Sequence, residues 1–394
     1  LERGESLDAS IDTANPDRTP PKPDIRKTNV GLGPVAVFGA SNFPFAFSTA
    51  GGDTASAIAA GCPVVVKAHS GHPKTSGLMA QAILNAVTKA EMPDGTFAHV
   101  YGSGGEIGQA LATDPVIKAI GFTGSYTGGM ALVEAAQKRA EPIPVFAEMG
   151  SNNPVFLLPE KLKQSAVELA AQYTGSLTLG VGQFCTNPGL VIGVAGDDLN
   201  VFIKALNTEV QKVAPAYMLN SKIATGYAES KASVLAQQGV AVVAEAEQAA
   251  AQGQGAAVVA TVQAQVFLSN ELLTQEVFGP FALMVICQNS AEVRAVAQKL
   301  HGQLTATLLG TDADLVQHAD LLNIVQQKCG RIMFNNFPTG VEVCKSMHHG
   351  GPFPSSSNSQ YTSVGSDSIK RFVRPLSFQN WPDVLLPKEL QENN

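Results

Sequence analysis

The stretch VAVFGASNFPFAFSTAGGDTASAIAAGCPVVVK, residues 35–67, contains the pattern that indicates the fold. Its two ends are short apolar runs, residues 35–38 and 64–66, which predict β-strands. Between them, residues 49–60 have the apolar spacing of a helix that stops at Gly61. A strand, a helix and a second strand within so short a segment predict a parallel βαβ unit.

The same alternation continues along the chain. A second helix is predicted to begin at Pro73, further strands at residues 97–101 and 117–122, and another helix at residues 161–173. This order predicts an α/β fold with a mainly parallel sheet. Each predicted strand ends in a polar or glycine-rich turn, and folds of this kind bind their ligands at the carboxyl ends of the strands.

Asn42, Lys67 and Ser125 each follow one of these strands and are therefore expected at the binding edge. Residues 122–129, FTGSYTGG, describe a strand that runs into small and hydroxyl residues at a helix start. Free N–H groups and the positive end of the helix dipole suit a pyrophosphate there. Residues 102–108, GSGGEIG, only approximate the dinucleotide-binding G-x-G-x-x-G pattern.

Composition limits the classes of function. The chain has 394 residues, of which 45% are hydrophobic and 15% charged, so it can bury a large core and is expected to divide into two lobes. A net charge of -7 without a basic cluster argues against a nucleic-acid partner. We find neither a run of about 20 apolar residues nor a secretory leader, so no membrane partner and a cytoplasmic location are expected. Residues 241–265, biased toward Ala, Gln and Gly, predict a surface helix with a connector.

Cys185 is the most informative of the five cysteines. It lies in residues 180–189, GVGQFCTNPG, among small and turn-forming residues, which favours a nucleophile on a backbone bend. Because no C-x-x-C pair occurs, no metal site and no disulfide are expected, and Cys62 and Cys287 are predicted to pack in the core. Glu148 upstream is a candidate base, and the pair predicts catalysis through a thioester that is then hydrolysed.

Six motifs in order give the chain a resemblance to a known family. From about residue 8 to 387 it resembles the NAD(P)-dependent aldehyde dehydrogenases, which implies a Rossmann-type cofactor lobe, an α/β catalytic lobe and an oligomerisation arm. The motifs are SNFP at 41–44, VVK at 65–67, FTGS at 122–125, EMG at 148–150, GQFC at 182–185 and QEVFGP at 275–280.

Within that superfamily, the chain most resembles the α-ketoglutaric semialdehyde (2,5-dioxovalerate) dehydrogenases and the related NADP-dependent fatty aldehyde dehydrogenases. The residues that resemble this branch are FGASNFP at 38–44, FCTNPG at 184–189, FPTGV at 337–341 and HGGPFP at 349–354.

The resemblance implies a role for each catalytic residue. Cys185 would attack the aldehyde carbon as a thiolate, with the oxyanion held by the Asn42 amide and the Cys185 backbone N–H. After hydride transfer, Glu148 would activate the water that hydrolyses the thioester. The partner is thus a small-molecule aldehyde.

The resemblance also implies cofactor contacts. Lys67 would hold the adenosine ribose. Ser125 would bind the pyrophosphate together with Gly124 and Gly129 of the same turn. Glu276 would bind the nicotinamide ribose, and Phe278 would lie beside the ring.

Cofactor choice depends on Ser70. Members that prefer NAD often have a glutamate at this position, where its charge repels a 2′-phosphate. The segment KAHSGH, residues 67–72, has no acid, so we expect use of both NADP and NAD, with NADP somewhat favoured.

Four segments follow from these assignments. Residues 1–29 are predicted to form an extended oligomerisation arm, 30–149 the cofactor-binding domain, 150–345 the catalytic domain, and 346–394 a C-terminal return with an oligomerisation strand. The resemblance implies a homodimer or homotetramer, and it implies that the chain is roughly a hundred residues shorter at its N-terminus than a usual subunit.

Alternatives remain open at this stage. One is an acylating dehydrogenase that passes the thioester to coenzyme A, although Glu148 argues against it. Another is a truncated inactive or ligand-binding relative. The substrate is expected to be α-ketoglutaric semialdehyde, with Arg331 or Lys345 as candidate partners for its carboxylate. A long-chain aldehyde would instead need an apolar tunnel, for which Phe184, Phe337 and Phe353 are the candidates.

Overall fold

Two mainly parallel sheets organise the chain, with helices packed on their faces. The computed structural model describes residues 6–338 and 340–392. The strands are β1 Ser10–Asp12, β2 Ile25–Gly31, β3 Val35–Phe38, β4 Val64–Lys67, β5 Phe97–Val100, β6 Ala119–Thr123, β7 Val145–Glu148, β8 Val155–Leu157, β9 Leu190–Val194, β10 Ala216–Tyr217, β11 Ala241–Glu245, β12 Gln254–Gly255, β13 Val258–Gln263, β14 Phe281–Cys287, β15 Gln303–Leu309, β16 Cys329–Phe334 and β17 Val373–Gln379.

The helices alternate with these strands over most of the chain. They are α1 Gly52–Ala59, α2 Pro73–Lys89, α3 Glu106–Thr113, α4 Tyr126–Gln137, α5 Pro159–Thr178, α6 Asp197–Gln211, α7 Ser221–Leu235, α8 Ala264–Ser269, α9 Ser290–Lys299, α10 Asp312–Gln317 and α11 Ala319–Gln326.

The first sheet has five parallel strands in the order β5-β4-β3-β6-β7. Strand β3 pairs with β4 on one side and β6 on the other, so Phe38 lies between Lys67 and Phe122. Strands β4 and β5 lie on one side of β3, and β6 and β7 lie on the other. The loops after β3 and β6 therefore leave in opposite directions and flank a crevice, which is the usual ligand position in such sheets. The prediction of an α/β fold with a parallel sheet is confirmed.

The predicted elements of this sheet agree with the structure to within two residues except at the start of α1, and β6 begins at Ala119 rather than at residue 117. Strand β3 and the start of α2 at Pro73 are as predicted, whereas α1 begins at Gly52 rather than at residue 49. Residues 43–50 form turns instead, and the backbone folds back so closely that a Cβ on Gly51 would collide with the carbonyl of Ala46. Only glycine fits this close approach.

The second sheet has seven strands in the order β11-β13-β14-β9-β8-β15-β16. Only the β11–β13 pair is antiparallel. The prediction of a surface helix and connector at residues 241–265 is wrong, because the segment begins with β11 at Ala241–Glu245 and ends with β13 at Val258–Gln263. Val258, Val259 and Ala260 are almost completely buried beside β14, and burial of an apolar strand outweighs the helix propensity of its alanines.

A third, small sheet joins the two ends of the chain. Strand β17 pairs with β2 along its whole length, and β1 pairs with the other edge of β2. Arg26 of β2 is buried and forms ion pairs with Asp24, Asp383 and Glu392. The predicted arm therefore packs against the C-terminal segment. The bounds of the four predicted segments stay a prediction.

The cores lie on both faces of the two large sheets. Cys62 and Cys287 are buried among apolar side chains, as predicted. Within residues 6–338 and 340–392, none of the helices combines the length and apolarity needed to cross a bilayer.

Candidate active site

Cys185 lies on a tight turn between α5 and β9. Helix α5 gives way to a 3-10 turn at Leu179–Gly182, in which Gly180, Val181 and Gly182 have left-handed φ values of 54°, 58° and 63°. A Cβ on Gly182 would overlap the backbone of Gly279, so glycine allows the turn to pack directly on that loop. This bend leaves the Cys185 thiol half-buried beside a cavity.

Glu148 is the last residue of β7, and its carboxylate is buried. One oxygen lies 3.0 Å from His349 Nε2, and the other accepts a 2.6 Å hydrogen bond from the Ser363 hydroxyl. Burial raises the pKa of Glu148. The charge and hydrogen bond of His349, the hydrogen bond of Ser363 and the charge of Arg371 together lower it by more than burial raises it, so the net pKa lies below its ordinary value. Glu148 is therefore ionised at neutral pH.

His349 is the functional residue that sequence reasoning missed. Its Nε2 lies 3.3 Å from Cys185 Sγ, and the ligand atoms of Cys185, His349 and Glu148 all lie within 4.8 Å of one another. Burial lowers the pKa of His349, but the charges of Glu148 and Cys185 and their hydrogen bonds raise it well above its ordinary value. The sequence signal for this residue is the segment HGGPFP at residues 349–354, which begins with His349 and belongs to the motifs of the branch.

Charges in this cluster favour one resting state. Burial raises the pKa of the Cys185 thiol, and although His349 lowers it, the net pKa lies above its ordinary value. We therefore describe the resting site as a thiol beside an ion pair of the Glu148 carboxylate and the His349 imidazolium. Both Sγ and Oε1 face the same Nε2, so a single N–H group serves the nucleophile and the carboxylate.

Asn42 lies against the turn of the nucleophile. Its side-chain Nδ2 donates to the Gln183 carbonyl at 3.0 Å, two residues before Cys185. Asn42, Glu148 and Cys185, three predicted residues from distant parts of the chain, are thereby brought together.

The thiol opens onto an apolar cavity of about 540 Å³. Phe43, Phe47 and Phe184 are among its lining side chains. The predicted contributions of Phe337 and Phe353 are wrong: Phe337 packs in the core against Tyr173, and Phe353 packs against Tyr126.

A second cavity of about 520 Å³ lies over the carboxyl ends of the first sheet. Lys67, Gly124 and Ser125 line it, and the Ser125 hydroxyl caps α4 by accepting a 3.2 Å bond from the Gly128 N–H. The helix start therefore faces this cavity, a favourable position for a phosphate.

His69 and Lys222 also line this cavity, and neither was predicted. Burial, followed by the charges of His72, Lys67 and Lys222, lowers the pKa of His69 to about 4. Burial, followed by the charge of Lys222, also lowers the pKa of Lys67. His69 is therefore neutral at neutral pH, and the repulsion is between the ammonium groups of Lys67 and Lys222, which makes the pocket suited to an anion.

Two predicted cofactor residues lie differently. Ser70 is exposed next to His69, and His69 rather than Ser70 lines the cavity. Gly129 lies on the buried face of α4, where a Cβ would meet Met149 and Phe122. Its place therefore fits helix–sheet packing.

Glu276 and Phe278 belong to the loop that packs on the nucleophile turn. Both line a small cavity of about 10 Å³ together with Gly182 and Ser151. Burial raises the pKa of Glu276 and a backbone hydrogen bond from Ser151 lowers it, which leaves a net pKa of about 8. Glu276 is therefore protonated at neutral pH. In its ionised form Glu276 raises the pKa of Cys185.

Cys185 lines one cavity and contacts His349, which also contacts Glu148, while a second cavity lies over the carboxyl ends of the first sheet. Together these features define a thiol-dependent oxidoreductase site on a Rossmann-type fold. Residues 10–375 match the aldehyde dehydrogenase family. The chain belongs to this family and is an aldehyde-oxidising oxidoreductase.

Two curated relatives are similar over essentially the whole chain. The chain is 50% identical over 392 residues to α-ketoglutaric semialdehyde dehydrogenase 2 of Azospirillum brasilense, covering 99% of this chain and 75% of that protein. It is 46% identical over 396 residues to the α-ketoglutaric semialdehyde dehydrogenase of Acinetobacter baylyi, covering 100% and 75%.

Solved structures bear out the fold. A γ-glutamyl-γ-aminobutyraldehyde dehydrogenase from Burkholderia cenocepacia superposes with a TM-score of 0.77 at 19% identity, covering 96% of this chain and 73% of that one. A glyceraldehyde-3-phosphate dehydrogenase from Methanocaldococcus jannaschii in complex with NADP gives 0.77 at 17% identity, covering 94% and 76%.

Proposed function

We propose that this chain oxidises α-ketoglutaric semialdehyde to its carboxylic acid with a nicotinamide dinucleotide as the oxidant. The observation that carries the chemistry is the contact of the Cys185 thiol with His349, which in turn contacts Glu148 beside an apolar cavity. The choice of substrate is supported by the two relatives at 50% and 46% identity that bear this activity in their names.

Acylation begins when the Cys185 thiol transfers its proton to solvent in the cavity that it lines. The His349 imidazolium stabilises the thiolate, and the sulfur forms a bond to the aldehyde carbon while the carbonyl oxygen becomes an oxyanion. The Asn42 amide has two N–H donors, of which the Gln183 carbonyl uses one, so the second is available to the oxyanion together with the Cys185 backbone N–H. The nicotinamide ring of the bound cofactor supplies the hydride acceptor, and a thioester remains on Cys185.

Deacylation uses the carboxylate next to the sulfur. Glu148 takes a proton from a water molecule, the water oxygen bonds to the thioester carbon, and the carbon–sulfur bond breaks. Cys185 leaves as a thiolate, which the imidazolium of His349 again stabilises. Ser363 keeps the Glu148 carboxylate in position through its 2.6 Å hydrogen bond.

We assign cofactor binding to the cavity over the first sheet. Lys67 would hold the adenosine ribose, and the start of α4 at Ser125 would hold the pyrophosphate. Glu276 and Phe278 would contact the nicotinamide end of the cofactor. Glu276 is protonated below a pH of about 8, so it can both donate and accept hydrogen bonds to ribose hydroxyls.

Use of both cofactors, with NADP favoured, is supported by the cationic pocket around Lys222. A 2′-phosphate would relieve the repulsion between Lys222 and Lys67. The test is equilibrium binding of NADP and NAD to Lys222→Met, with Lys204→Met on the exposed face of α6 as the matched control. We expect the Kd for NADP to rise about tenfold, equivalent to about 1.4 kcal/mol, and that for NAD to change little. Equal weakening of both cofactors would contradict this assignment.

Arg331 is the proposed partner for the substrate carboxylate. In the described part of the chain its guanidinium donates to the Gly340 carbonyl at 3.1 Å and to the Met347 sulfur at 3.3 Å, with no carboxylate partner, and Nε is buried without an acceptor. Gly340 lines the cavity of Cys185. Burial lowers the pKa of Arg331 and negative charge at Cys185 raises it, and the net pKa lies below its ordinary value. Arg331 is therefore electrostatically coupled to the thiol.

Substitution of Arg331 by Met tests this role. We expect KM for the semialdehyde to rise about 30-fold, which corresponds to about 2 kcal/mol for loss of one charged partner, while KM for uncharged pentanal stays unchanged. An equal rise for both aldehydes would argue against carboxylate recognition.

Long-chain aldehydes are the second candidate, since most side chains around the 540 Å³ cavity are apolar. The deciding experiment compares kcat/KM for 2,5-dioxopentanoate and decanal with both cofactors, with and without coenzyme A. The main proposal expects the semialdehyde to be preferred and coenzyme A to have no effect. A preference for decanal would favour the second candidate. Dependence on coenzyme A would indicate an acylating enzyme, and the absence of turnover with any aldehyde would indicate an inactive relative.

We further propose that residues 30–149 and 150–345 serve as cofactor-binding and catalytic domains in a homo-oligomer. Strand β17 lies at one edge of the three-stranded sheet with β2, and an edge strand can pair with a second copy of the chain. Light scattering after size-exclusion chromatography tests this, and a monomer at working concentration would contradict it. A cytoplasmic location stays a prediction.

A further inference from the structure

The catalytic cluster has the donor set of a zinc site. Cys185 offers sulfur, His349 an imidazole nitrogen and Glu148 a carboxylate oxygen, and these atoms lie within 4.8 Å of one another. Zn²⁺ takes sulfur at about 2.3 Å and nitrogen or oxygen at about 2.0–2.2 Å, so tetrahedral geometry separates its ligand atoms by roughly 3.3–3.6 Å. The separations here are 3.3 Å between Sγ and Nε2 and 3.0 Å between Nε2 and Oε1. The Sγ–Nε2 pair already has the required separation, and the Nε2–Oε1 pair would have to open by about 0.3 Å. The third pair, Sγ and the Glu148 oxygen, lies within 4.8 Å.

We propose that Cys185, His349 and Glu148 form a reversible, inhibitory Zn²⁺ site whose fourth position opens to the substrate cavity. Three protein ligands with one open position describe a zinc site that binds water or a small ligand. A donor set of thiolate, imidazole and carboxylate favours Zn²⁺ and Co²⁺ over Mg²⁺ and Ca²⁺, which prefer oxygen ligands alone. Cys185 lines the cavity of about 540 Å³, which gives a metal ion a path to the site.

Neighbouring contacts hold the ligands ready for such an ion. The Ser363 hydroxyl donates to the second oxygen of Glu148, leaving the first oxygen directed at His349. The His349 backbone N–H is fixed by a 2.9 Å bond to the Thr362 hydroxyl, and the Cys185 carbonyl by a 2.9 Å bond from Asn153. Such supporting bonds orient metal ligands and raise metal affinity.

Binding involves no oxidation or reduction. Bonds form from zinc to Sγ, Nε2 and a Glu148 oxygen, the S–H bond of Cys185 and the N–H bond of His349 break, and the two protons leave to solvent. The nucleophile and the carboxylate are then both occupied, so aldehyde cannot add to the sulfur. The same coordination would shield the thiol from electrophiles and oxidants.

Co²⁺ spectroscopy and competition with a chromophoric chelator test the site directly on the full chain. We expect one equivalent of Co²⁺ to give a thiolate-to-metal charge-transfer band and the intense visible bands of tetrahedral cobalt, and added Zn²⁺ to abolish both. Cys185→Ser should lose the charge-transfer band, and His349→Gln should weaken Zn²⁺ binding at least about tenfold. Cys344→Ser, at an exposed cysteine outside the cluster, is the matched control and should retain the band.

Alkylation of the unaltered protein provides a second measurement that does not depend on how the variants fold. Stoichiometric Zn²⁺ should protect Cys185 from iodoacetamide and leave Cys344 reactive, as read by peptide mass spectrometry, and a chelator should restore both Cys185 reactivity and dehydrogenase activity. A missing charge-transfer band, an unprotected Cys185, or a band lost in Cys344→Ser would overturn the proposal. The cobalt spectra and the alkylation rates measure metal binding, so their outcome does not depend on which aldehyde is the substrate.

Discussion

Replacement of His349 by Gln should slow the reaction of Cys185 with electrophiles. Glutamine keeps much of the volume of the side chain but removes its positive charge from a point 3.3 Å from Sγ. The imidazolium lowers the pKa of the thiol, whereas burial and the charges of Glu148 and Glu276 raise it, so only the raising contributions remain in the variant. The thiolate fraction at a given pH must therefore fall.

The distance sets the scale of this effect. A pair of unit charges at the 3.3 Å between Sγ and Nε2 is worth about 5 kcal/mol at an effective dielectric constant of about 20. Glu148 shares the same N–H group, so only part of this energy acts on sulfur, and we expect about 1.4–2.8 kcal/mol to appear as a 10- to 100-fold slower reaction.

The assay is the second-order rate of iodoacetamide alkylation at Cys185 between pH 7 and 10, without cofactor. Cys344 is exposed and serves as an internal control for reagent and pH. Because the pKa of the buried thiol lies above its ordinary value of 9.0, the wild-type rate should still be rising at pH 9. Equal Cys185 rates in the two proteins would refute the electrostatic role of His349.

Three further predictions concern separate contacts. Glu148→Gln should reduce kcat at least about 100-fold and yet release a burst of one reduced cofactor per Cys185 in stopped-flow absorbance; absence of the burst would mean that acylation also needs the carboxylate. The pKa of Glu276 is raised from 4.5 to about 8, so between these pH values the folded protein keeps a proton that the unfolded chain has lost. The free energy of unfolding of the wild type should therefore fall by up to about 5 kcal/mol as the pH rises through this range, and it should level off above it. Melting curves of Glu276→Gln should lack this fall, and parallel pH profiles of the two proteins would count against it. The buried Arg371 guanidinium lies 2.7 Å from the Asp53 carboxylate, and Asp53→Asn should remove this counter-charge. We expect the free energy of unfolding, measured with denaturant, to fall by about 3–5 kcal/mol, and a fall below about 1 kcal/mol would contradict a tight ion pair.

Sequence patterns served well where the structure depends on neighbours in the chain. The apolar run at residues 35–38, the proline at the start of α2 and the bend at Cys185 each reflect local backbone preferences, and each was found. They failed at residues 241–265, where an alanine-rich composition suggested a helix and a neighbouring strand imposed β-structure. They also failed for Phe337, since periodicity does not tell which cavity or core an aromatic ring enters.

The sequence by itself determined the parallel α/β architecture, the family resemblance, and the expectation of a thiol nucleophile with a nearby acid, because periodicity, turn residues and ordered motifs are properties of short segments. Tertiary structure alone decided that His349, 164 residues from Cys185, shares one N–H group between the sulfur and Glu148. It also decided that Lys222 of α7 and Lys67 of the first sheet line the same cavity over that sheet. Both arrangements depend on how two separately formed sheets pack together, and local sequence patterns carry no information about that packing.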